Sequence, residues 1–129
     1  MRKETLTYTD FNGNERTESF YFNLTQAEIM KMELSTAGGL AETIQRVIDA
    51  QDQPAIIKIF EDLIQQSYGV KTLDGKGFTK KKEDLEAFVS TEAYSMLFMK
   101  LATDANAASE FINGIIPANM AKQLAESNN

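Results

Sequence analysis

Residues 20–34 read FYFNLTQAEIMKMEL, and the join inside this stretch decides the fold. Phe20, Tyr21 and Phe22 are the aromatic residues in which strands are enriched, while the residues from Thr25 onward carry helix-start signals. Thr25 and Glu28 stand at capping-box spacing, so side chain and backbone satisfy each other's first donors. Leu24 and Ile29 occupy the positions of a hydrophobic staple, which sets the angle at which the chain enters the helix. A strand therefore feeds a helix with no spacer, and the pattern predicts that the helix ends near Ser35, before Gly38-Gly39.

Working backward, residues 4–23, ETLTYTDFNGNERTESFYFN, read as a β-hairpin around Asn12-Gly13. A two-residue loop would set Leu6 and Tyr8 on the face opposite Phe20 and Phe22. A three-residue loop, Phe11-Asn12-Gly13 with Gly13 left-handed, puts all four on one face and Tyr8 opposite Arg16. We favour that register. It turns Thr5, Thr7 and Thr9 toward water or another strand.

Working forward, a helix is predicted over about Leu40 to Ala50, with Leu40, Ile44, Val47 and Ile48 on one stripe. The next opens at Gln53-Pro54, presents Ile56, Ile57, Phe60, Leu63, Ile64 and Tyr68, and is expected to close at Gly69. Residues 70–82, VKTLDGKGFTKKK, suit an exposed loop or a short hairpin around Asp74 to Gly77. Helical pattern resumes near Glu83. In STEAYSMLFMKLATD the residues Tyr94, Leu97, Phe98 and Leu101 form a stripe, with Met96 and Met99 off it. A helix ending near Asn113-Gly114, a junction at Ile115-Ile116-Pro117 and a short last helix complete the chain. The expected fold class is α+β and predominantly α-helical, an N-terminal β-hairpin packed on a bundle of about five or six helices. We expect a single domain over 1–129, with hairpin about 4–22, helical body about 25–126 and exposed Gly/Lys loop about 70–82.

At 129 residues the chain suffices to bury roughly two thirds of the surface its unfolded form exposes. Hydrophobic residues at 43% and charged residues at 25% are globular proportions. No apolar run approaches the roughly 20 residues that span a bilayer, so no membrane association is expected. The basic start MRKETLTYTD lacks an apolar core, and we expect no secretory leader. Thirteen basic against nineteen acidic residues give a formal charge of −6, which argues against nucleic acid as the main partner.

The sequence contains neither His nor Cys, which removes the usual neutral-pH base, the cysteine nucleophile and the commonest transition-metal ligands. Neither an enzyme nor a cofactor or metal site is expected. Glu61-Asp62 and Glu83-Asp84 are adjacent and so diverge around a helix. Asp10, Asn12 and Asn14 imitate the opening of a calcium loop, but Glu15 stands where its glycine belongs and Tyr21 where its closing acid belongs. Turn chemistry explains them instead. Lys76, Lys80, Lys81 and Lys82 around Phe78 suit a solvated loop, with contact to an acidic partner or a phosphate backbone as the alternative.

An interaction signal remains. Met30, Met32, Met96, Met99 and Met120 are flexible, polarizable side chains of the kind that accept helical partners of varied sequence, although for any one of them taken singly the filling of a core gap is the favoured reading. They are the candidate partner-binding residues. Met32 and Met99, off the main stripes, are the better placed. Composition and spacing alone reach a helical binding module.

Taken together, YTDFNGNERTESFYFNLTQAEIMKMELS (8–35), AQDQPAIIKIFEDLIQQSYG (50–69) and TEAYSMLFMKLATDANAASEFINGIIP (91–117) resemble tail assembly chaperones of tailed bacteriophages infecting Gram-positive bacteria. The likeness runs from about Thr5 to Pro117 and is one of overall pattern. It implies a non-enzymatic helper in siphovirus morphogenesis that binds the helical tape measure protein, keeps it soluble and helps recruit the tail tube protein. It also implies a site of action in the host bacterial cytoplasm and absence from the mature virion. Many relatives make a longer form by ribosomal frameshifting, so such a form of this chain is a candidate further partner. The competing reading is a minor structural or connector protein of the phage tail or head-tail junction.

Overall fold

A computed structural model describes residues 1–35, 42, 45–46, 49 and 53–117. Strands β1 (Arg2–Thr9) and β2 (Glu15–Phe22) lead into α1 (Gln26–Ser35). Helix α2 (Gln53–Ser67) is followed by β3 (Tyr68–Lys71), β4 (Phe78–Thr79), α3 (Lys82–Val89), α4 (Glu92–Thr103) and α5 (Ala105–Ile115). The fold is α+β and mainly helical, with the strands in one antiparallel sheet of order β1-β2-β3-β4.

The first hairpin adopts the three-residue register. Tyr8 pairs with Arg16 and Thr9 with Glu15, and the Asp10 N–H donates to the Asn14 carbonyl at 2.8 Å, closing the strands around Phe11, Asn12 and Gly13. Gly13 has φ +84°, the left-handed geometry this loop demands. Asp10 organises the turn: its carboxylate accepts from the N–H groups of Asn12 and Asn14, both at 2.9 Å, and pairs with Arg16 Nε at 2.6 Å. Leu6, Tyr8 and Phe22 are buried on the inner face with Phe20 packed beside them. On the outer face Thr5 shares a hydrogen bond with Ser19 and Thr7 with Thr17.

Phe22 and Phe88 anchor the core. Phe22 meets Phe111 at 5.2 Å between ring centroids and Phe88 at 5.8 Å, while Phe88 stacks on Tyr68 at 4.4 Å and meets Phe20 at 4.9 Å. Strand, hairpin and helices thus share one aromatic cluster. Helix α4 packs against β1, α2, α3 and α5, which explains why it is apolar around so much of its circumference. Its cap is Thr91, whose hydroxyl accepts from the Tyr94 N–H, and Asp104 caps α5 in the same way through Asn106 and Ala107.

Tyr68 and Gly69 do not end the preceding helix; they open β3 and pair with Phe22 and Tyr21 of β2. Gly69 is needed there for space: a Cβ would lie 2.5 Å from the Phe78 ring and 2.8 Å from the Thr79 carbonyl oxygen. Residues 70–82 contain the β3–β4 hairpin, closed by a hydrogen bond from the Thr72 N–H to the Gly77 carbonyl at 2.8 Å, and so extend the sheet. In the helix predicted over Leu40 to Ala50, Glu42, Gln45, Arg46 and Asp49 are helical and exposed, while Leu40, Ile44, Val47 and Ile48 lie outside the described residues. The predicted last helix lies outside them as well.

Candidate functional site

The strand-to-helix join is a fixed platform. Asn23 N–H donates to the Ser67 carbonyl at 2.8 Å and Leu24 N–H to the Ile115 carbonyl at 2.7 Å. Those carbonyls end α2 and α5, where helical backbone has no internal partner, so the join satisfies two helix C-termini at once. The capping box forms as its spacing demands: Thr25 N–H donates to Glu28 Oε1 at 2.9 Å and Glu28 N–H to Thr25 Oγ1 at 3.2 Å. Leu24 and Ile29 are both buried.

From this platform α1 projects apolar side chains in two directions. Ile29 and Met32 turn toward the core, whereas Met30 is 64% and Leu34 82% exposed. Met30 and Leu34 are four residues apart and therefore neighbours on one helix face. On α4, Met96 and Met99 are likewise exposed, the latter by 54%, three residues apart on the side away from Leu97 and Leu101. Met120 lies outside the described residues. Leu34 was not singled out from the sequence, although its spacing from Met30 was the available signal.

Beside α1 lies an open cleft of about 530 Å³. Leu24, Met32, Tyr68 and Leu85 supply its apolar lining, and the lysines Lys31, Lys80, Lys81 and Lys82 line it as well. Of the predicted methionines that are described, Met32 alone lines it. Lys76 remains apart on the β3–β4 turn. Lys80 is committed to structure: its ammonium donates to Glu28 Oε2 at 2.5 Å and to the Asn23 carbonyl at 2.7 Å. Burial works against the charge on Glu28, but Lys80 and the Thr25 N–H outweigh it and hold the carboxyl below its ordinary value.

The buried acid among the described residues lies outside this cleft. Glu4, 4% exposed, pairs with Arg2 Nε at 3.0 Å and Lys100 Nζ at 3.4 Å, joining β1 to α4. Among the described residues no cluster of acidic side chains is arranged to hold a metal ion, and no helix is long and apolar enough to cross a membrane. The arrangement offers apolar helix faces and a basic cleft, which are means of binding a chain.

No curated protein and no solved structure matches this chain. The family model described as phage tail assembly chaperone matches residues 1–129, and by that match the chain belongs to the phage tail assembly chaperone family.

Proposed function

We propose that this chaperone binds the helical tape measure protein of its phage, keeps it soluble and aids assembly of the tail tube around it. The exposed pairs Met30–Leu34 on α1 and Met96–Met99 on α4 carry the reading. Large unbranched or flexible apolar side chains held outward on a supported scaffold suit a long helical client whose sequence changes along its length. Many copies could decorate one client, each binding modestly. Family membership supports a non-enzymatic assembly role and binding to tail proteins in general.

The same reading places the protein in the host cytoplasm during assembly of a siphovirus, with a Gram-positive host, absence from the finished virion and a longer frameshifted form as further parts of the proposal. Co-expression with the tape measure protein tests its centre. The client should become soluble and co-purify, and Met30→Glu or Met99→Glu should weaken the complex without unfolding the chaperone. Client that stays insoluble with both the short and any longer form would overturn the reading in favour of a minor structural or connector component, which would instead be found in purified virions.

A further inference from the structure

We infer that the cleft between α1 and the Lys80–Leu85 segment is a docking site for an acidic polypeptide segment with apolar residues at its centre. The inference rests on the chaperone reading and names the chemistry of the client segment. Charge is the first argument. The chain carries a formal charge of −6, yet Lys31, Lys80, Lys81 and Lys82 converge on this one cleft. Glu28 is the acid in the lining, and its charge is already taken by Lys80. Lys82 reaches Glu86 only at 3.9 Å on the surface, and Lys31 and Lys81 form no ion pair among the described residues. Lys31 and Lys81 are thus left without an acidic partner among the described residues, and Lys82 is held only by that long surface contact, in a protein rich in carboxylates.

The lining supplies the second argument. Met32, Tyr68 and Leu85, all half-buried, offer apolar surface that a phosphate backbone would leave unfilled, whereas a peptide bearing carboxylates around a Leu or Met would cover it. Net negative charge also works against nucleic acid at long range. Lys80 stays with Glu28 and Asn23, so it holds the cleft's wall while Lys31, Lys81 and Lys82 meet the occupant.

The test uses the full chain and two fluorescent amphipathic peptides with identical Leu and Met positions, one with Glu and the other with Lys at its polar positions, together with a labelled single-stranded oligonucleotide. Anisotropy should show binding of the acidic peptide, weakening as salt rises and falling by at least about tenfold in Lys31→Glu/Lys81→Glu/Lys82→Glu. A Lys31→Gln/Lys81→Gln/Lys82→Gln variant, with native thermal unfolding, should show a smaller loss in the same direction. Equal binding of both peptides, tighter binding of the oligonucleotide, lysine-dependent self-association in place of peptide binding, or unchanged affinity in the folded Gln variant would each overturn the inference. Tape measure protein solubilised by a chain that ignores the acidic peptide would sink the cleft and spare the chaperone reading. Lysine-dependent peptide binding beside an insoluble tape measure protein would do the reverse.

Discussion

Lys80 meets Glu28 at 2.5 Å, joining residues 52 apart in sequence, and so clamps the end of the second hairpin onto the first turn of α1. The same ammonium reaches the Asn23 carbonyl at 2.7 Å, which makes Lys80 a bracket across the strand-to-helix join.

Replacing that bracket should loosen the join. Lys80→Met removes an ion pair and a hydrogen bond, and we expect a loss of about 1 kcal/mol in urea unfolding. The effect should depend on pH. Because Glu28 is held below its ordinary value, its contribution is present above the unfolded-chain pKa of roughly 4.3 and is lost as pH falls through the lower folded value. The variant should therefore lose less stability than the wild type over that acid range, and parallel curves would show that Lys80 does not set the shift.

Gly69→Ala should be costly. The added methyl would meet the Phe78 ring at 2.5 Å and the Thr79 carbonyl oxygen at 2.8 Å, and the latter is backbone that cannot swing aside. We expect destabilisation of about 1–3 kcal/mol, read by thermal or urea unfolding. A wild-type midpoint would mean that β4 does not lie over Gly69 in solution.

Phe88→Ala opens a hole where four aromatic neighbours meet, Phe20, Phe22, Tyr68 and Tyr94. The expected cost is about 3–5 kcal/mol, read by urea unfolding. A near-wild-type unfolding midpoint would contradict this packing.

Arg2→Met leaves the buried Glu4 carboxylate with Lys100 alone, at 3.4 Å. We expect a loss of about 2 kcal/mol in chemical denaturation, below the cost of a fully buried pair because Lys100 is half exposed.

Met30→Glu and Met99→Glu should behave in the opposite way. Both positions face outward, so stability should stay within about 0.5 kcal/mol of wild type while client solubilisation falls. A folded double variant that still solubilises the tape measure protein would remove these faces from the proposed interface.

What the sequence determined by itself was local. Parity along the strands and a glycine suited to a left-handed turn were enough to set the register of the first hairpin, and Thr25 with Glu28 was enough to start α1, because each depends on residues a few positions apart or on a period of two. The outward positions of Met96 and Met99 followed from helical period in the same way. Only the tertiary structure decided that Gly69 belongs to a strand, since its role depends on the ring of Phe78 arriving from the next strand. Glu4 alternates with Leu6 and Tyr8 and so shares their inner face, but its burial is tolerable only because Lys100 comes to it from α4. The lysines of residues 80–82 read as solvated along the chain, and Lys81 and Lys82 are exposed, but only the packing, with Lys80 held to Glu28, puts all three on one cleft with Met32. Contacts of that kind are between residues whose separation in sequence carries no period to read, so the packing of the whole chain has to supply them.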